Sequence, residues 1–326
     1  MMPMMQIYPG GMLAFKAILQ ASFGLFAFAW AAGSAAATFI LPPEGTDLVG
    51  APTWMHTRQE DTLLDVARDY SVGYKELTRA NPGVDIWLPG RGTRVALPTR
   101  YVLPPGAREG IVINLPEYRL YYFPEPANGE TAQVISYPIS IGKMDWDTPI
   151  GSHRIISKAK DPSWYPPESI RQEHAKRGDI LPRVVPPGPE NPLGAYAMRL
   201  NLTSYLIHGT NNPDGVGMRV TSGCIRMFPE HIEQIFGLVD VGTQVRIISE
   251  PIKVGWAADV LYVEVHPPLE EESESQLRMR FTTLLRDASR VHGLEIDWPR
   301  ADAIFAAATG VPTAVPLRAT TVALQP

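Results

Sequence analysis

The sequence predicts an α+β protein, mainly β, in which a small βααβ module precedes a larger strand-rich domain. Three observations predict it. A length of 326 residues suggests two domains as a prior. The 32 prolines speak against long helices and for strands joined by rigid loops. Two short helical patterns stand close together between residues 61 and 80, after which short apolar runs bounded by turn signals take over. The composition, 45% hydrophobic and 19% charged, is that of an ordinary globular chain, and a net charge of −5 offers no basic field for nucleic acid or an anionic membrane.

Taken in order, residues 1–37 read as a signal peptide. Lys16 is the only charged residue before Glu44, Ala17 to Ala32 form an apolar stretch, and Gly33-Ser34-Ala35-Ala36-Ala37 supplies an Ala-x-Ala site with a cut after Ala37. The stretch is shorter than the roughly 20 residues that span a bilayer, although Gly10 to Ala37 together come close; a retained anchor is the alternative. Residues 46–98 form the small module. Trp54 to Thr57 suggest a strand, and Asp61 to Tyr70 put Leu63, Leu64, Val66, Ala67 and Tyr70 on one helix face with Asp61 as N-cap. Tyr74 to Ala80 give a second helix, stopped by Asn81-Pro82-Gly83, and Pro89-Gly90 turns into a strand over Thr93 to Leu97.

Residues 99–110, with Pro104-Pro105-Gly106, read as a linker. The domain over 111–249 opens with strands from Ile111 to Leu115 and from Tyr118 to Phe123, a hairpin around Pro116-Glu117. Gln133 to Ile141, Gly151 to Ser157, Ala195 to Leu200, Tyr205 to His208 and Thr243 to Ser249 continue as strands, and Phe228-Pro229-Glu230 opens a helix to about Leu238. Residues 159–194 are proline-dense and irregular, and a loop that long inside a domain is expected to be a lid or wall over a site. An extension over 250–290 carries a strand from Val260 to Val265 and a charged helix from Glu270 to Ser289; 291–326 is expected to be a loose Pro/Ala-rich tail.

The chain has one cysteine, Cys224, in Thr221-Ser222-Gly223-Cys224-Ile225-Arg226. A lone thiol in an exported chain has no internal disulfide to join, and a buried structural cysteine is the bland alternative to a nucleophile. His208 closes the run Tyr205-Leu206-Ile207-His208 sixteen residues upstream, followed by Gly209. A free thiol is mostly protonated at neutral pH, so a nucleophilic cysteine needs a base, and imidazole suits that task. Gly223 allows a tight turn in which the backbone N–H groups of Gly223 and Cys224 could form an oxyanion hole. Arg226 is a candidate for holding a carboxylate, with a structural arginine the equal alternative. Trp164 and Tyr165 are candidates for a substrate wall or for packing anchors. The other histidines (His56, His153, His174, His231, His266 and His292) read as structural or exposed, His153 and His174 lying near the expected lid.

His208-Gly209-Thr210, fifteen intervening residues counted from His208 to Cys224, and Thr221 to Met227 resemble the signature of the L,D-transpeptidases with a YkuD-type catalytic domain. Pro138 to Gly142 with Asp147 to Gly151, and Pro187 to Gly194, resemble the segments that flank that family's site. The module resembles the LysM glycan-binding motif, on Asp61-Thr62-Leu63, Glu76-Leu77, Asn81-Pro82 and Leu88-Pro89-Gly90, with Glu60 where that motif usually has glycine. Taken together the chain looks most like the periplasmic ErfK/YbiS-type enzymes of Gram-negative bacteria. The resemblance implies a mainly β, sandwich-like catalytic domain and a cysteine acyltransferase with Cys224 as nucleophile and His208 as proton acceptor and donor. It implies peptidoglycan as partner, through both stem peptide and glycan, a location in the periplasm, and sensitivity to carbapenems. It implies neither metal nor cofactor, because a covalent thiol supplies the activation. Acceptors implied are a neighbouring stem, giving 3→3 crosslinks, a lysine of an outer-membrane lipoprotein, or water, which would make an L,D-carboxypeptidase. One departure stands out: many relatives have histidine two residues before the cysteine, where this chain has Ser222. The competing readings are a non-catalytic peptidoglycan-binding protein and a papain-like peptidase, against which the order His before Cys speaks.

Overall fold

A computed structural model describes residues 36–144, 146–269 and 272–319. The expected signal peptide, apart from Ala36 and Ala37, lies outside the described residues, and among these no helix is long and apolar enough to cross a membrane. The elements run β1 (Ala37–Ile40), β2 (Leu48–Gly50), β3 (Thr53–His56), α1 (Leu63–Asp69), α2 (Tyr74–Ala80), β4 (Arg94–Leu97) and β5 (Arg100–Val102). There follow β6 (Gly110–Asn114), β7 (Arg119–Phe123), β8 (Gln133–Pro138), β9 (Ile141–Gly142), β10 (Gly151–Lys160), α3 (Glu168–Lys176), β11 (Tyr196–Leu200) and β12 (Leu206–His208). Next come β13 (Arg219–Thr221), β14 (Ile225–Arg226), α4 (Pro229–Leu238), β15 (Gln244–Ile248), β16 (Ile252–Ala257) and β17 (Val260–Val265). The chain closes with α5 (Glu274–Arg290), β18 (Leu294–Ile296), α6 (Trp298–Ala307), β19 (Thr313–Ala314) and β20 (Leu317–Ala319).

Nine strands form one hydrogen-bonded series, β1-β8-β7-β6-β15-β10-β11-β12-β14. The long strand β10 belongs to both ends of it. Gly151 to Arg154 pair with β15, whereas Ile155 to Lys160 pair with β11, and the register shifts between Ile155 and Ser157. A bulge of this kind bends a strand from one sheet direction into another, so the series curls over on itself. The curl encloses a core to which both ends contribute: Ile113, Leu120 and Tyr137 from one, Met198, Ile207 and Ile225 from the other, with Ile232 and Ile235 of α4 between them. The opposite face of β6–β8 is covered as well, Val112, Tyr121 and Val134 packing on Val49, Tyr101 and Leu103. Burial on both faces explains why these strands read as continuous apolar runs and not as alternation.

In the small module β3 pairs with β4, and α1 and α2 pack Leu63, Val66, Leu77, Val95 and Leu97 into a core of their own. The cap of α1 is Thr62, one residue later than expected: Thr62 and Asp65 exchange side-chain-to-backbone bonds in a capping box, and Asp61 instead accepts from the Arg58 N–H at 2.7 Å. Asn81 ends α2, and its amide donates to the carbonyls of Leu77 and Ala96 (both 2.8 Å), fastening the helix to β4.

Three expectations are corrected. Residues 99–110 are no free linker: β5 pairs with β2, and Tyr101, Val102 and Leu103 are buried between the curled sheet and the C-terminal part. Residues 159–194 contain α3, a helix that buries none of its side chains and so shows no apolar face in the sequence. The tail is not loose over 294–319, where α6 and β18–β20 complete a core around Phe281, Leu285, Ala301 and Val315.

Two buried ionic groups lock these parts together. Arg119 of β7 makes a bidentate pair with Glu76 of α2 (2.8 and 2.9 Å) and also donates to Ser71 O at 3.1 Å. Lys253 Nζ lies 2.8 Å from Glu117, 2.9 Å from Glu264 and 2.6 Å from Val102 O. Glu117, Glu264 and His266 bring three ligating atoms within 4.8 Å of one another, and the Lys253 ammonium pairs with both of these glutamates.

Candidate active site

The pairing of β12 with β14 builds the site. These strands run parallel, with Ile207 opposite Ile225 and His208 opposite Arg226. Side chains directly across a pair point to the same face, and successive residues alternate. Ile207 and Ile225 therefore enter the core, and Leu206, His208, Cys224 and Arg226 turn to the other side. All four line one cleft of about 780 Å³. Ser222, Trp164 and Tyr165 also line it; Gly209 and Gly223 do not.

His208 is buried, and its Nδ1 lies 2.7 Å from the carbonyl of Gly209. A carbonyl only accepts, so Nδ1 carries the proton in this bond and Nε2 is left as the basic nitrogen. Burial, then the charge of Arg226, push the imidazole down to about 4, against the upward pull of the Gly209 and Leu193 carbonyls. Cys224 is half-buried, with Sγ 3.5 Å from Ser204 O. Burial pushes its thiol up, against the pull of the Leu206 backbone N–H and of Arg226. The guanidinium of Arg226 has no carboxylate partner among the described residues, and its buried Nε makes no hydrogen bond there. Its backbone is fixed by reciprocal bonds to Ser140 (2.8 and 3.0 Å). Such a set can hold an anionic group beside a thiol and a neutral base.

Both glycines have steric reasons. Gly223 has φ +96°, and a Cβ there would sit 2.8 Å from the ring of Tyr205. Gly209 passes close to Ile232, and its N–H donates to Tyr196 O at 3.1 Å. The expected lid does wall the cleft. Trp164 exchanges backbone bonds of 2.9 Å with Val185, Tyr165 is exposed, and Glu173 of α3 pairs with Lys143 at 2.5 Å. His174 lies on the lid against Asp179 at 2.6 Å, whereas His153 sits on β10 away from the cleft lining. Arg199, which lies across from Leu206 and lines the cleft, carries no signal of a role in the sequence, and neither do Thr148 and Tyr205. Period-two counting back from His208 would have found Arg199's partner Leu206, but not the pairing itself.

The family described as YkuD, L,D-transpeptidase catalytic domain, matches residues 108–247. The "Probable L,D-transpeptidase ErfK/SrfK" of Salmonella typhimurium is 39% identical over 288 residues, covering 86% of this chain and 91% of that protein. The "Probable L,D-transpeptidase YcfS" of Escherichia coli is 42% identical over 265 residues, covering 79% and 81%. The chain belongs to the L,D-transpeptidase family. Among solved structures, the catalytic domain of the E. faecium L,D-transpeptidase is matched over its whole length and 44% of this chain, at 23% identity and a TM-score of 0.33. As an L,D-transpeptidase family member this chain holds Ser222, and no second imidazole, on the cleft wall two residues before Cys224.

Proposed function

We propose that the protein is a peptidoglycan L,D-transpeptidase working through a Cys224 thioester in the periplasm. The observation that carries this reading is the register of β12 and β14, which turns His208, Cys224 and Arg226 into one cleft. Nε2 of His208 takes the thiol proton as Sγ attacks the carbonyl on the L side of an L,D-peptide bond in a tetrapeptide stem. Backbone N–H groups of Gly223 and Cys224 receive the oxyanion. Collapse breaks the C–N bond, the proton on His208 passes to the departing D-residue amine, and a thioester remains. An acceptor amine then attacks the thioester and regenerates the thiol. A neighbouring stem gives a 3→3 crosslink, and an outer-membrane lipoprotein lysine gives a protein anchor. Arg226, and Arg199 at the rim, supply the charge that suits a substrate rich in carboxylates. The βααβ module is proposed to hold the glycan, and residues 1–37 to direct export.

Exposure of the purified chain to a carbapenem, followed by mass spectrometry, is expected to show a single covalent adduct that Cys224→Ala abolishes. His208→Gln is expected to slow adduct formation by about 100-fold to 10,000-fold, the usual worth of general-base assistance. A folded wild type that takes no adduct would favour a non-catalytic wall-binding protein. Incubation with defined muropeptides, with and without a lipoprotein C-terminal peptide, separates crosslinking, anchoring and hydrolysis by product mass.

A further inference from the structure

The peptide between Gly223 and Cys224 is held from behind. The Gly223 carbonyl accepts a hydrogen bond of 2.9 Å from Thr148 Oγ1, and the same hydroxyl accepts from the Gly142 N–H at 3.3 Å. Thr148 is buried and lines a separate small cavity, together with Gly142, Asp147 and Arg219 and with neither Gly223 nor Cys224. It does not line the cleft that holds Cys224. In a trans peptide the C=O and the following N–H point in opposite directions. A carbonyl drawn back onto Thr148 therefore aims the Cys224 N–H forward. Among the described residues the N–H groups of Ser222, Gly223 and Cys224 donate to no protein acceptor. On the other side of Cys224, its own carbonyl accepts from Thr221 Oγ1 at 2.6 Å, which fixes the next peptide.

Thr148 is itself held. Tyr205 OH donates to Asp147 O at 3.1 Å, and the Tyr205 ring lies against Gly223, where a Cβ would clash. Arg219 binds the Asp147 carboxylate at 3.0 Å and the Gly142 carbonyl at 3.0 Å. Gly142, Asp147 and Thr148 thus form a frame that leaves the hydroxyl of Thr148 one acceptor to meet. The constraint matters because glycine at 223 tolerates both orientations of the peptide that follows it. Released from Thr148, that peptide can turn its carbonyl into the cleft, where it would repel developing negative charge.

We propose that Thr148 is the positioning residue of the oxyanion hole, its hydroxyl locking the Gly223–Cys224 peptide so that the Cys224 N–H faces the reacting carbonyl, with Tyr205 steadying Thr148. This rests on the acyl-transfer reading of Cys224. Two reagents separate the role from a general structural one. Acylation by a carbapenem passes through an oxyanion; alkylation by iodoacetamide is a displacement at carbon that needs only the thiolate. In Thr148→Val the acylation rate is expected to fall about 100-fold to 1,000-fold, the range for loss of one oxyanion donor. Its alkylation rate, and the pH profile of alkylation, are expected to match the wild type. Thr148→Ser, which keeps the hydroxyl, is expected to restore acylation. Equal losses with both reagents, or undiminished acylation in Thr148→Val, overturn the proposal. Should Thr148→Val fail to fold by circular dichroism, Tyr205→Phe decides: it keeps the ring and loses the bond to Asp147, and unaltered acylation there overturns the proposal. A wild type that is alkylated at Cys224 yet never acylated overturns the acyl-transfer reading and this proposal together.

Discussion

At the scale of single residues, His208 and Cys224 are displaced in opposite directions. The imidazole is pushed down to about 4 and the thiol is pushed up, each mainly by burial. Both directions favour a thiol and a neutral imidazole over a thiolate–imidazolium ion pair at neutral pH. The acid limb of carbapenem acylation is expected well below the ordinary imidazole range, and iodoacetamide alkylation is expected to keep rising beyond the ordinary thiol range. The same shift affects stability. The folded pKa of His208 lies below its unfolded value of about 6.5, so its contribution is complete above that pH and is lost as pH falls toward about 4. The loss amounts to about 3 kcal/mol over that window. Urea unfolding of the wild type and of His208→Gln, compared at pH 7 and pH 4, should reveal it as a narrowing of the difference between them; a constant difference would refute it. Cys224 and His208 stand out in the sequence as candidates because a lone thiol, a flanking glycine and a histidine ending an apolar run are rare together, and both line one cleft. Thr148 does not. Its segment, Asp147 to Gly151, resembles one that flanks the family's site, but a hydroxyl bonded to the nearby Gly142 and the distant Gly223 leaves no spacing that reveals the contact.

At the scale of elements, the bidentate pair of Arg119 and Glu76 joins β7 to α2 with both side chains buried. Removing one partner leaves the other charge buried and unpaired, so Arg119→Met is expected to destabilise the protein by about 3–5 kcal/mol in equilibrium denaturation. The double variant Arg119→Met, Glu76→Leu is expected to recover much of that loss; no recovery would mean that Arg119 acts through its bond to Ser71 O instead. Elements with their own cores or caps were readable: α1, α2 and α4 declare themselves through apolar spacing, Asn81-Pro82-Gly83 and Pro229. Elements defined by their neighbours were not. The helix α3 buries no side chain, and β5 looks like a linker because Pro104 and Pro105 follow it closely. β16 escaped notice because Lys253 and Gly255 break its pattern; each meets another part of the chain, Lys253 with Glu117 and Gly255 with Asp47.

At the scale of the whole molecule, the C-terminal residues complete a core. Val315, Ala301, Ile304 and Leu317 pack around Phe281 and Leu285, which are fully buried. Ending the chain after Arg290 would expose these side chains, and at about 1.5–3 kcal/mol for each large apolar group the loss should exceed about 4 kcal/mol. Thermal unfolding and soluble yield of the truncated chain test this; an unchanged midpoint would make the tail dispensable. The sequence reads as beads on a string, module, linker, catalytic domain and extension, because local pattern reports local folding. Two features contradict that picture. β1 lies before the module yet pairs with β8, so the module is inserted into the sheet it appears to precede. Lys253, from the extension, pairs with Glu117 in the turn between β6 and β7 and donates to the carbonyl of Val102. The consequence concerns how such proteins can be rearranged. A graft of residues 111–249 onto a foreign binding module would arrive with a bare sheet edge and an orphaned carboxylate. A rearranged form of this chain is thus expected to need β1, Glu117 and Lys253 moved together.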